Sequence, residues 1–163
     1  MGQLIGTYNI SVDKNGRFCL PASLKNELGH SCVVFKGIGC LWMVTATMSE
    51  NIQKDLEEMS RGSLQGMFDP TVRTLRRQLF SGMTSLTPEA DKDNYRISLT
   101  PEQRRYAKID KSAILIGAGN YVEIWSPAEL DKFEARHETP EAITEAADQL
   151  FRAMSDRNNE RLP

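Results

Sequence analysis

The chain has 163 residues, 40% of them hydrophobic, and a formal net charge of −2 at pH 7. That length suits one compact domain, or two small halves on a shared core, and no apolar run is long enough to cross a bilayer. The charge argues against a strongly basic nucleic-acid binder, but residues 129–163 hold nine acidic and five basic side chains, which leaves the preceding body at +2.

The N-terminal Met1-Gly2-Gln3-Leu4-Ile5-Gly6 lacks the basic and apolar regions of a signal peptide, and Gly6 stands where a myristoylation pattern wants Ser or Thr. Cys19, Cys32 and Cys40 are odd in number and have no metal-like spacing. Cys19 and Cys32 adjoin apolar strand residues, so reduced, packed thiols in a cytosolic protein are expected.

Leu4 to Val12 alternates as a strand. Asn15-Gly16 marks a tight turn, from which Arg17 to Leu20 is expected to return as the second strand of a hairpin. Pro21 to Leu28 reads as a short helix closed by Gly29. Val33–Lys36 and Cys40–Thr45 form a second predicted hairpin across Gly37-Ile38-Gly39. Thr47-Met48-Ser49-Glu50 reads as a capping box before a helix whose stripe is Ile52, Leu56 and Met59. Phe68-Asp69-Pro70 starts a further helix to about Phe80, with Val72, Leu75 and Leu79 on one face. Arg73 and Arg77 project away from that face, and Arg76 lies nearer its boundary. Thr100-Pro101-Glu102-Gln103, Ser126-Pro127-Ala128-Glu129 and Thr139-Pro140-Glu141 are three more helix starts. The last precedes an amphipathic stripe of Ile143, Ala147, Leu150, Phe151 and Met154.

Much of this pattern occurs twice. Asp13-Lys14-Asn15-Gly16-Arg17-Phe18-Cys19-Leu20-Pro21 is echoed by Asp93-Asn94-Tyr95-Arg96-Ile97-Ser98-Leu99-Thr100-Pro101. The two Arg positions differ by 79 and the two Gly-x-Gly pairs by 80, so one indel separates the copies. Trp42 and Trp125 are expected at nearly equivalent strand positions, packed in a core or an interface. Each half reads β-β-α-β-β-α. Four short strands cannot close a core alone, so the halves must pack together and leave edges that suit another subunit.

No catalytic constellation is visible. His30 and His137 are far apart in sequence, and neither Gly-x-Gly opens a helix as a dinucleotide fingerprint requires. The arginines carry more chemistry. Arg17 and Arg96 each begin a strand just after a turn, where a guanidinium can reach a phosphate or a guanine edge. An Asp13–Arg17 ion pair that pins the turn is the competing structural role, and the two roles are compatible. Lys14, Lys25, Arg104, Arg105 and Lys108 extend a candidate basic strip.

These residues together resemble the MraZ family. The turn Asp13-Lys14-Asn15-Gly16-Arg17 followed by Leu20-Pro21 is similar to its Asp-x-x-x-Arg signature. Arg73, Arg76-Arg77 and Leu79-Phe80-Ser81-Gly82 are similar to its linker helix, and Ile116 to Ser126 to its second-half signature. The resemblance runs from about Gly6 to Glu134. It implies a duplicated AbrB-like, swapped-hairpin β fold, α+β in class, with a helical extension. It further implies a cytoplasmic, nucleoid-associated, ring-forming transcriptional regulator of the bacterial division and cell-wall cluster. DNA contact is expected through the Asp-x-x-x-Arg turns. The first motif falls on Asp13 and Arg17. At the second, Lys92 stands in the Asp position and Tyr95 in the Gly position, which implies a bulged turn or weaker binding.

The expected organisation is a first repeat over 1–60, an Arg-bearing linker over 61–82, a second repeat over 83–135 and an amphipathic extension over 136–163. The expected DNA-contacting residues are Arg17, then Arg96, then Lys14 and Asn15, with Asp13 orienting Arg17. The partners are double-stranded promoter DNA and further copies of the chain. No catalytic residue, cofactor, metal, membrane or small-molecule substrate is expected. The alternative is an oligomeric interaction scaffold of the same fold with little DNA binding, favoured by the altered second motif and the acidic tail.

Overall fold

The computed structural model describes residues 3–60, 68–86, 89–91 and 94–161. The chain divides into two compact units, Met1–Glu129 and Leu130–Pro163. The first unit runs β1 (Thr7–Ser11), β2 (Arg17–Cys19), α1 (Ala22–Leu28), β3 (Cys32–Lys36), β4 (Leu41–Thr45), α2 (Ala46–Ser60), α3 (Pro70–Ser81), β5 (Thr84–Leu86), β6 (Glu89–Asp91), β7 (Asn94–Ser98), α4 (Pro101–Ala107), β8 (Ser112–Gly117) and β9 (Val122–Trp125). Helix α5 (Pro127–His137) begins in that unit and ends in the second, which also holds α6 (Pro140–Glu160).

The class is α+β with antiparallel sheets. One sheet has the order β1-β8-β9-β4-β3-β5, the other β2-β7-β6. Each half of the sequence lends a strand to the other: β1 pairs with β8, β5 with β3, and β4 with β9 between them. Strand alternation then sorts the side chains onto two faces. Cys32, Val34, Leu41, Met43, Leu115, Val122 and Ile124 face one core together with Phe18, Leu24, Ile97 and Leu99. Val33, Phe35 and Val44 face the opposite side, against Met48, Ile52, Leu79 and Met83. A fully buried side chain of this size contributes about 1.5–3 kcal/mol, so the core common to both halves holds them in one unit.

Several sequence expectations are corrected here. β1 and β2 do not form a hairpin: β1 pairs with β8 and β2 with β7. The reason is local. The Asp13 carboxylate takes the Arg17 N–H, and Val12 N–H already bonds to Lys111 C=O, so the chain leaves the turn into two sheets. Helix α2 starts two residues before its predicted box, because Thr45 at the end of β4 is the cap and its Oγ1 accepts the Met48 N–H. Cys19 is exposed, opposite in phase to buried Phe18, whereas Cys32 and Cys40 are buried. Burial pushes the Cys32 thiol up to about 11 and the Cys40 thiol to about 12. Trp42 and Trp125 are not equivalent. Matching turns run from Gly37 N–H to Cys40 C=O and from Ala118 N–H to Tyr121 C=O, which aligns Trp42 with Glu123, its own cross-strand partner. The second half also carries one more strand than its predicted pattern, the short β6.

The helix starts at Asp69, Thr100 and Thr139 lie where their caps predict. In α4 the box is reciprocal: Thr100 Oγ1 accepts Gln103 N–H, and Gln103 Oε1 accepts Thr100 N–H. The buried Gln103 amide also donates to Thr84 Oγ1 at 3.0 Å and to Gly82 C=O at 3.2 Å, which ties α4 to the segment after α3. In the second unit α6 buries no residue, and Ile143, Leu150, Phe151 and Met154 of its stripe are exposed. Among the described residues no helix is long and apolar enough to cross a membrane.

Candidate nucleic-acid interface

Asp13 organises the first turn. Its Oδ1 accepts the backbone N–H groups of Asn15 and Arg17, each at 2.9 Å, and its Oδ2 accepts Arg17 Nε at 3.0 Å. Asp13 N–H donates to Arg17 C=O and Gly16 N–H to Asp13 C=O, which closes the loop. The Arg17 N–H hydrogen bond, helped by the Arg17 side chain and the Asn15 N–H, holds the Asp13 carboxyl below its ordinary value against a smaller opposing effect of desolvation. Gly16 has φ +79°, a left-handed conformation that glycine adopts freely. It is also crowded: a Cβ there would lie 2.8 Å from the Leu99 carbonyl oxygen and 2.7 Å from Arg104 Nε.

Arg17 is held through Nε alone, so its two Nη groups make no hydrogen bond among the described residues. That leaves the end-on fork of the guanidinium, the part that matches guanine O6/N7 or a phosphate. Arg96 is placed by the β2–β7 register. Phe18 and Ile97 lie directly opposite each other and both are buried. Arg17 pairs with Ser98, and Arg96 with Cys19, so both arginines lie on the outer face, one on either side of the buried pair. Such diagonal neighbours are about 7–8 Å apart. Lys14 and Asn15 are exposed on the turn itself. The structure therefore places Asp13, Lys14, Asn15 and Arg17 at one end of the β2–β7 ladder and Arg96 towards the other, with the two arginines on one face. Lys92 and Asp93 of the second motif lie outside the described residues, and Asp91 ends β6 opposite Asn94.

The candidate strip divides. Lys108 Nζ lies 3.4 Å from Glu129, which offsets its charge. Lys25 Nζ lies 3.5 Å from the centroid of the Tyr95 ring. Arg104 packs against Gly16 and Arg105 is exposed. Both contacts of α1 and α4 with the opposite turn escape sequence reading, although their common spacing of 79 residues (16 and 95, 25 and 104) was a usable signal. Among the described residues no group of His, Cys, Asp and Glu could hold a metal.

The sequence is similar to those of known proteins. The family model described as "MraZ protein, putative antitoxin-like" matches residues 79–152. A protein of Alkaliphilus oremlandii named transcriptional regulator MraZ is 33% identical over 132 residues, which cover 80% of this chain and 86% of that relative. This chain belongs to the MraZ family. Relatives of the same name in Thermomicrobium roseum and Mycobacterium sp. strain KMS are 35% and 28% identical, over 76% and 91% of this chain and 81% and 96% of their own lengths. The family's members are named as transcriptional regulators and not as enzymes.

Proposed function

We propose that this MraZ-family chain is a DNA-binding transcriptional regulator, cytoplasmic and nucleoid-associated. In this reading it assembles as a ring and engages promoter repeats through its Arg-bearing turns. The observation that carries the reading is Arg17, fixed by Asp13 through Nε with its Nη fork unengaged. Arg96 on the same outer face gives each subunit a second contact. The reading divides the chain into AbrB-like swapped-hairpin repeats at 1–60 and 83–135, a linker at 61–82 and an extension at 136–163. It is supported by a strand order in which each half's outer strand lies on the other half. The ring follows from the edges of β1 and β5, which end the large sheet, and from the modest charge of the body. Several weak sites bound together raise avidity by orders of magnitude.

The test is fluorescence anisotropy with a labelled duplex from upstream of the protein's own operon, against a scrambled duplex. Wild type binds the former with a steep salt dependence. Arg17→Ala loses a bidentate contact, about 1–3 kcal/mol per position if it reads a base. Equal, weak binding of both duplexes, unchanged by Arg17→Ala, refutes the reading. Light scattering giving only the monomer mass of 18.4 kDa refutes the ring. A second reading, an oligomeric scaffold with little DNA binding, is favoured by the exposed apolar stripe Ile143, Leu150, Phe151 and Met154 on an acidic tail. An assembly that persists without retaining either duplex identifies the scaffold.

A further inference from the structure

The two halves exchange more than strands. Gly16 C=O accepts Leu99 N–H at 2.9 Å, and Tyr95 C=O accepts Leu20 N–H at 2.7 Å. Gly16 and Tyr95 are the residues before Arg17 and Arg96, and each pair is 79 apart, as are Lys25 and Arg104. Each of these cations reaches across to the opposite half's turn. Arg104 from α4 packs against Gly16, and Lys25 from α1 packs against Tyr95. The positions correspond, but the chemistry differs. Lys25 rests on an aromatic face, which partly satisfies its charge. Among the described residues Arg104 has no such partner. Its Nε is buried with no hydrogen bond, and its side chain makes no hydrogen bond or ion pair among the described residues. A guanidinium stays charged in any protein environment, and a shielded charge without a counter-ion favours an anion.

We propose that Arg104 is a second phosphate-binding cation of the first turn, contributed by the opposite half, and that Tyr95 withholds its counterpart Lys25 from the same role at the second. The first site is thus composite, with Arg17 from one half and Arg104 from the other on one DNA backbone. Its helix is set firmly for this purpose. The Thr100–Gln103 box fixes the start of α4, and buried Gln103 anchors it to Gly82 and Thr84. The proposal rests on the DNA-binding reading and adds that the two turns differ in cation count.

The experiment measures the slope of log affinity against log salt for the operon duplex, between about 50 and 200 mM, in wild type, Arg17→Ala, Arg104→Met, Arg104→Lys and Tyr95→Leu. Arg104→Met should lower the slope by about 0.9, the loss of one phosphate contact. Arg104→Lys, which keeps the charge and loses the fork, should retain most of the slope. Tyr95→Leu should uncover Lys25 and raise the slope. Arg104→Gln keeps a polar head beside Gly16 and replaces Arg104→Met should that variant melt below the assay temperature. A wild-type slope in the neutral variant, with binding lost in Arg17→Ala, overturns the proposal and leaves the DNA reading standing. A slope unchanged in both Arg17→Ala and the neutral variant overturns both. Equal damage in Arg104→Lys and Arg104→Met means that the side chain is a prop whose shape matters, which also overturns it. An unchanged slope in Tyr95→Leu removes the shielding of Lys25.

Discussion

The two turns that precede Arg17 and Arg96 reach the same sheet position by different routes. The first is a tight loop closed by one carboxylate, Asp13, with glycine at the crowded left-handed position. The second follows an added strand, β6, which pairs with β7 from Glu89–Arg96 to Asp91–Asn94. Beyond the turns the two copies return to register, with Phe18 opposite Ile97 and each Leu N–H bonded to the other turn. The buried pair and its ladder thus constrain where each Arg emerges, while the loop that leads to it is allowed to vary. Buried side chains specify register, because a one-residue slip would turn Phe18 or Ile97 to solvent.

The largest effect that would break this contrast is at Gly16. Gly16→Ala forces a side chain into a left-handed conformation, about 1–2 kcal/mol. It also drives a Cβ to 2.8 Å from the Leu99 carbonyl, a backbone atom that cannot swing away. Overpacking of that kind costs about 1–3 kcal/mol more. Thermal denaturation should show a loss of several degrees, and removing the Arg104 side chain as well should restore little of it. Full rescue by Arg104→Ala would mean that side-chain crowding, and not the backbone, demands glycine here. Tyr95 occupies the corresponding place without difficulty, because β7 is extended there.

A middle-sized effect compares the arginines directly. Arg96→Ala should weaken binding to the operon duplex less than Arg17→Ala does, for which the loss is about 1–3 kcal/mol per base position. Both variants should keep the wild-type melting temperature within a few degrees. Equal losses would show that the Asp13 lock adds nothing to what the sheet already provides. A larger loss in Arg96→Ala would reverse the ranking of the two turns. A smaller effect concerns Tyr95, where Tyr95→Leu removes the ring beneath Lys25 at 3.5 Å. The cation–π contribution of about 0.5–1 kcal/mol should disappear from thermal stability. A more stable Tyr95→Leu protein would mean that burying the Lys25 stem outweighs its contact with the ring.

Local chemistry was legible in the sequence and partner choice was not. The caps at Asp69, Thr100 and Thr139 act within a few residues, so their side chains announce the helices they begin. The turn at Asp13–Arg17 was equally readable, and so was its ion pair. Which strands β1 and β2 pair with depends on β8, 101 to 109 residues further along the chain, and on β7, 77 to 81 residues further along, and Asn15-Gly16 signals a turn without naming the ladders on either side of it. β6 was invisible because Glu89, Ala90 and Asp91 have weak strand preference and pair only through their neighbour. Cys19 could have been read correctly, since it alternates with an inward Phe18. Asp13 and Arg17 are candidates through their Asp-x-x-x-Arg spacing, whereas Arg104 and Lys25 needed the exchange of halves to reveal what they touch.

The smallest effect is also the most selective for the first turn, because it depends on the Asp13 charge. Its folded carboxyl lies below the ordinary value of 3.8, chiefly through the Arg17 N–H. A depressed carboxylate stabilises the fold fully above its unfolded value, and that contribution is lost as pH falls through the folded value. The first turn should therefore remain closed at pH 5 and open only below 3.8, as the carboxylate that accepts from Asn15 and Arg17 is protonated. Carboxyl-carbon and amide NMR shifts of residues 13, 15 and 17 should titrate together, with a midpoint under the ordinary value. Asp13→Asn keeps an oxygen for the two backbone N–H groups and loses the charge facing Arg17 Nε. It should remove this titration while leaving the turn in place at neutral pH. A wild-type midpoint at or above 3.8 would mean that Asp13 gains nothing from its three donors, and the closure of the first turn would then rest on Gly16 alone.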